Sequence, residues 1–137
     1  MSKIFLDTNL FIYAVSPKDA DRQQRAIAAL ARAATAPNIP VISTQVLQEF
    51  FAVATRKLGM DPRAAEREVR AMLVLEVTAF SANSICEAIA LSIVESVHFR
   101  DALIVTAALS ANCTELWSED LQTGRRFGSL TILNPLL

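Results

Sequence analysis

The stretch Ile4-Phe5-Leu6-Asp7-Thr8-Asn9-Leu10-Phe11-Ile12-Tyr13 sets the fold class. Its opening apolar run is too brief for a helix, whereas the run from Leu10 to Tyr13, beyond the polar Asp7-Thr8-Asn9, is where a helical turn can start. A strand thus feeds a helix, with an acid at the junction. Working outward, the same alternation recurs. Asp21 with Gln24 resembles a capping pair opening an Ala-rich helix through about Ala34. Pro37 to Pro40 breaks the chain, and Val41-Ile42-Ser43 reads as a second strand. From Thr44 to Leu58, Val46, Leu47, Phe50, Phe51, Ala54 and Leu58 recur with helical spacing, and Gly59 is a natural stop.

Asp61-Pro62 has the form of a cap followed by a helix-starting proline, with a helix to about Leu75. Ser84 with Glu87 resembles a capping box for the next helix. A further helix begins near Asp101 and ends at Asn112. Its Ala102, Leu103, Val105, Ala107, Ala108 and Leu109 make it apolar all round, as a buried central helix is. Glu115-Leu116-Trp117-Ser118 and Leu130-Thr131-Ile132-Leu133 are the last strand candidates, on either side of a loop containing Gly124 and Gly128. Short strands alternating with helices predict an α/β sandwich around a mostly parallel sheet, whose ligands collect at the carboxyl ends of the strands.

The 137 residues hold no Pro/Gly/Ser-rich divider, so a single domain over 1–137 is expected. Although 53% of the residues are hydrophobic, charges interrupt every apolar run well short of bilayer length, which excludes a membrane-spanning helix. Asp7 comes too soon for a signal-peptide apolar region, and a cytoplasmic protein is expected. Cys86 and Cys113 lack close CxxC spacing and lie among Ala, Leu and Ile, which suits small buried side chains. A net charge of −1 gives no global basic field for nucleic acid, but a carboxylate cluster lowers the formal charge that a bound metal restores. The glycine-rich patterns of nucleotide-binding loops and serine hydrolases are absent. His98, the only histidine, excludes a two-histidine ribonuclease mechanism, argues against a His-rich zinc site, and is read as a structural or supporting residue.

The chemistry must then come from carboxylates. Asp7, Glu49, Asp101 and one of Glu119 and Asp120 are the candidates. Singly, each has an ordinary explanation: Asp7 as a helix cap, Asp101 as a first-turn acid facing the helix dipole, Glu49 as the solvated edge of an apolar face. Asp21 and Asp61 are better explained as caps. Strand ends and helix starts, however, bring the set toward one rim of the sheet. Gathered carboxylates repel, and their pKa values rise unless a cation neutralises them. A hard divalent ion such as Mg²⁺ or Mn²⁺ takes oxygen ligands and activates water.

With these residues in hand, the chain resembles PIN-domain ribonucleases, specifically the VapC toxins of bacterial toxin–antitoxin pairs. The resemblance rests on Ile4 through Asn9, on Ser43 through Glu49-Phe50, on Arg100-Asp101-Ala102-Leu103-Ile104, on Trp117-Ser118-Glu119-Asp120-Leu121-Gln122 and on Asn134-Pro135. It implies a PIN-like α/β/α sandwich with a central mostly parallel sheet. It also implies that Asp7, Glu49, Asp101 and Asp120 form the acidic set holding Mg²⁺ or Mn²⁺, with Asp120 preferred to Glu119 because the family pattern is hydroxyl residue, any residue, Asp. Thr8, Asn9 and Ser118 are then hydrogen-bonding supports that orient the ligands. The implied activity is metal-dependent cleavage of RNA by water, leaving 5′-phosphate and 3′-hydroxyl ends. Arg56, Lys57, Arg100, Arg125 and Arg126 are candidate phosphate contacts. A homodimer and a cognate antitoxin are the implied partners. A phosphoacceptor receiver domain lacks support, since acids adjacent after the first strand and a lysine after the last are missing. A noncatalytic nucleic-acid or protein binding module on the same fold is the remaining rival.

Overall fold

The computed structural model describes residues 2–137. The chain runs β1 (Lys3–Leu6), α1 (Thr8–Val15), α2 (Ala20–Ala33), β2 (Ile39–Ser43), α3 (Thr44–Arg56), α4 (Pro62–Met72), β3 (Glu76–Thr78), α5 (Ala82–Glu95), α6 (Phe99–Ser110), β4 (Glu115–Trp117), β5 (Arg126–Phe127) and β6 (Leu130–Leu133). The strands form one sheet in the order β3-β2-β1-β4-β6-β5. All pairings are parallel except that of β5 with β6. Helices flank this sheet in an α/β/α sandwich: α1 packs on α2 and α3, α3 on α4, and α5 on α6.

Strand order fixes where the site lies. From β1 the chain moves outward to β2 and β3, then returns to the other side of β1 as β4. Between β1 and β4, connections leave in opposite directions, and in open α/β sheets the crevice at such a switch collects ligands. Leu6 pairs with Trp117 in register, and the Asp7 amide donates to the Trp117 carbonyl at 3.2 Å. Asp7 and Ser118 therefore leave adjacent strand ends side by side.

Burial follows strand and helix periodicity. Phe5, Leu6, Val41, Ile42, Leu116, Leu130 and Ile132 fill the sheet's contribution to the core, and Val46, Phe50 and Ala54 bury one face of α3. Gly59, with φ of 67°, takes the left-handed conformation that ends the turn after α3. As its composition predicts, α6 is central: Asp101, Ala102, Ile104, Val105, Thr106, Ala107 and Ala108 are all buried.

Several boundaries differ from expectation. Asp19, not Asp21, caps α2, accepting from the Arg22 amide at 3.1 Å, while Asp21 sits in the first turn paired with Arg25. Ser81, not Ser84, caps α5 and accepts from the Ser84 amide at 3.1 Å. In both places two capping side chains stand two or three residues apart, and backbone direction chooses the earlier. Helix α6 starts at Phe99, with exposed His98 at its N-cap making no side-chain cap. Strands β3 and β5 were not expected.

Cys113 is buried as expected, but Cys86 is exposed because it falls on the outward side of α5, where only Ala88 is buried. Burial pushes the Cys113 thiol up to about 12, with Lys3 opposing the rise and Glu76 adding to it. Thiolate is the reactive form. A thiol reagent at neutral pH is expected to modify Cys86 quickly in the folded chain and Cys113 only after denaturation. Equal rates by mass mapping would contradict this packing.

Candidate active site

Four elements bring carboxylates to one point. Asp7 follows β1 and caps α1, Glu49 lies in α3, Asp101 occupies the first turn of α6, and Asp120 lies in the loop after β4. At their centre is the Arg100 guanidinium. Its Nη2 donates to Asp7 Oδ1 at 2.7 Å and Glu49 Oε1 at 2.8 Å, and its Nε to Glu49 Oε2 at 3.1 Å. Its Nη1 reaches Asp7 Oδ2 at 3.2 Å, Asp101 Oδ1 at 3.0 Å and Asp120 Oδ2 at 3.1 Å. The planar fork of arginine suits such multiple recognition of carboxylates.

Polar neighbours orient the acids. Buried Thr8 donates from its hydroxyl to Glu49 Oε1 at 2.7 Å, and its amide donates to Asp7 Oδ1 at 2.7 Å. The Ser118 hydroxyl donates to Asp7 Oδ2 at 2.7 Å and accepts from the Asp120 amide at 3.1 Å, so one side chain ties two acids together. Asn9 Nδ2 stands 3.5 Å from both Asp120 carboxylate oxygens. Depth falls across the set: the Asp7 side chain is 2% exposed and that of Asp120 35%.

Electrostatics follow that placement. Burial works against the charged form of Glu49, but hydrogen bonds from Arg100 and Thr8 outweigh it and hold the carboxyl below its usual range. Asp120 moves the other way, pushed up by burial and then by the Asp7 charge, with Arg100 opposing. Burial also disfavours the charged Arg100, yet Asp7 and Glu49 more than compensate, and the guanidinium is held firmly protonated.

The donor set fits a hard divalent cation: it consists of carboxylate and hydroxyl oxygens, and it already converges on a positive group. Among the described residues no three acids stand together as a ready ligand shell.

Of the candidate phosphate contacts, Arg56, Lys57 and Arg126 are exposed. Arg100 instead turns inward, and Arg125 is tied to the end of α5 through the Glu95 carbonyl at 3.0 Å and lies over the Phe127 ring. Two neighbours escaped the sequence reading. Gln45 Nε2 donates to Glu49 Oε2 and to the Arg100 carbonyl, both at 3.3 Å; its place four residues before Glu49 on α3 was the available signal. Tyr13 donates to Glu119 and accepts from Arg22, which occupies Glu119 away from the acid cluster. Nothing in the sequence announces that pairing.

A family model for the PIN domain matches residues 4–126. The chain belongs to the PIN domain family. No curated protein sequence matches it. Among solved structures, this PIN domain is similar to VapC20 from Mycobacterium tuberculosis, described as a sarcin-ricin loop cleaving toxin, with 22% identity over 85% of this chain and 91% of that one and a TM-score of 0.70. It is also similar to a toxin–antitoxin complex from Klebsiella pneumoniae, at 19% identity over 96% and 97% of the two chains and a TM-score of 0.72. A third is VapBC2 from Rickettsia felis bound to a DNA fragment from its promoter, at 23% identity over 95% and 96% and a TM-score of 0.63. These neighbours share the fold: a mostly parallel sheet flanked by helices.

Proposed function

We propose that this PIN domain is the toxin of a VapBC pair, an endoribonuclease dependent on Mg²⁺ or Mn²⁺ that hydrolyses single-stranded or structured RNA. The observation that carries the reading is the convergence of Asp7, Glu49, Asp101 and Asp120 on one cationic group at the carboxyl end of the sheet. These four acids would hold the ion. Bound there, it supplies Lewis acidity that makes a water nucleophilic near neutral pH and stabilises the leaving oxygen. Thr8 and Ser118 fix the rotamers of Glu49 and Asp7, and Asn9 orients Asp120.

RNA would follow the positive side of the cleft. Lys57 lines a cavity of about 310 Å³ that it shares with Lys18, Arg22, Asp19 and Asn9, the last of which also stands 3.5 Å from Asp120. Lys57, with Arg56 and Arg126, supplies candidate phosphate contacts. Water as the nucleophile predicts 5′-phosphate and 3′-hydroxyl products, and a deoxyribose at the cleaved position should still be cut. Cyclic 2′,3′-phosphate ends would overturn this chemistry.

The similar structures that are toxin–antitoxin complexes support a cognate antitoxin as partner. A second copy of the chain is the partner we assign to α5, where Ile85, Ile89 and Ile93 recur every four residues and are exposed together with Val94. Such a row is costly in water and is the kind of patch that marks an interface. Replacing both Ile89 and Ile93 by Glu is expected to convert a dimer to a folded monomer in sedimentation, with a melting temperature that no longer rises with protein concentration. A wild-type monomer at micromolar concentration would overturn the dimer.

A further inference from the structure

We propose that Arg100 is a built-in counter-ion, which holds the four carboxylates together in the metal-free protein and must withdraw from them for a divalent cation to bind. The inference rests on the metal-dependent reading above and adds a competitor for the same oxygens from within the chain.

Geometry carries it. All three guanidinium nitrogens are engaged, and together they touch every acid of the set at 2.7–3.2 Å. Both oxygens of Asp7 and both oxygens of Glu49 already accept from Arg100. The other bonds to those oxygens come from Thr8, Ser118 and Gln45, which orient the acids without competing for the centre. A cation coordinated by Asp7 and Glu49 would therefore share their oxygens with the guanidinium, and two positive centres at hydrogen-bond distance repel.

The means of withdrawal is also present. The Arg100 backbone is anchored, since its carbonyl accepts from Gln45 on α3, and the residue sits in the first turn of α6. Its side chain, by contrast, is 33% exposed, so rotation about its own torsions suffices to carry the guanidinium from the acids toward solvent. One positive charge against four negative leaves an excess that still attracts a divalent ion. The acids thus stay paired before metal arrives, and the energy of the Arg100 pairs is subtracted from metal affinity.

The test is Mg²⁺ and Mn²⁺ binding by calorimetry to wild type, Arg100→Gln and Arg100→Lys at one ionic strength, with melting in chelator alongside. Arg100→Gln is expected to bind metal roughly tenfold tighter than wild type, to melt lower in chelator, and to gain more from added metal. Arg100→Lys, with the charge but not the fork, should fall between. Because the Gln variant can fail to fold, the wild-type Arg100 side-chain Nε–H is also followed by NMR: protected from exchange in chelator, it should lose that protection as Mg²⁺ saturates. Wild-type metal binding that the Gln variant merely equals, or an Nε–H unchanged at saturating Mg²⁺, overturns the inference and leaves the nuclease reading standing. Failure of every form to bind either ion at millimolar concentration overturns both.

Discussion

Asp7→Asn is expected to reduce metal-dependent RNA cleavage at least about a hundredfold, since loss of a mere outer partner of a metal ligand already costs 10–100-fold. Asp7 is the deepest of the four acids, and its carboxylate accepts four hydrogen bonds, as many as that of Glu49. It accepts from the Thr8 amide, the Ser118 hydroxyl and two Arg100 nitrogens. Asparagine keeps the shape but replaces one acceptor by an NH₂ group facing donors, and it removes a charge that a divalent ion requires. The stability cost is smaller than this list implies. An unsatisfied buried group costs about 1–3 kcal/mol, but removing one of four like charges relieves repulsion that a single guanidinium leaves uncancelled. A net loss of under about 2 kcal/mol is expected, and the variant should remain folded. Initial cleavage rates beside a thermal melt check both halves. Wild-type rates in a folded variant would remove Asp7 from the chemistry. Glu49→Gln, at a more exposed position, provides the same comparison with less risk to folding.

The second large effect is on stability. Phe50→Ala is expected to lower the unfolding free energy by about 3–5 kcal/mol, and Phe51→Ala by under about 1 kcal/mol. The two residues are neighbours on α3, but Phe50 is 1% exposed within the core and Phe51 is 40% exposed. A small domain has only about 5–15 kcal/mol in total, so the first change removes roughly a fifth or more of it. Because α3 also carries Glu49, loosening that face should weaken catalysis before the chain unfolds. Urea unfolding midpoints for the two variants decide the matter. Equal shifts would mean that α3 does not bury the face described.

The sequence made the site more legible than its wiring. Asp7 and Asp101 could be singled out because strand ends and helix starts have periodic signatures, and Glu49 because it borders an apolar helix face; Asp120 was preferred to Glu119 only through the family resemblance. Strands β3 and β5 escaped because each has only two or three residues and lies at an edge of the sheet, where pairing rather than an apolar pattern defines the strand. Caps at Asp19 and Ser81 were displaced onto Asp21 and Ser84, since neighbouring capping residues offer equal chemistry and only φ and ψ separate them. Cys86 shows the limit of composition: its apolar neighbours on α5 face outward. Arg100 is the largest revision. A helix-start arginine is ordinarily solvated, and a long flexible side chain can turn either to substrate or inward. Only the assembled acids, adjacent to it through Asp101, decide the direction.

The central claim is that the four acids make this PIN domain a metal-dependent ribonuclease. Its most direct test is incubation of the purified protein with total cellular RNA in Mg²⁺, in Mn²⁺ and in chelator, with new 5′ ends mapped. The account predicts discrete cuts bearing 5′-phosphates in the presence of metal and none in chelator. Cuts that persist in chelator, or intact RNA with either ion, would contradict it.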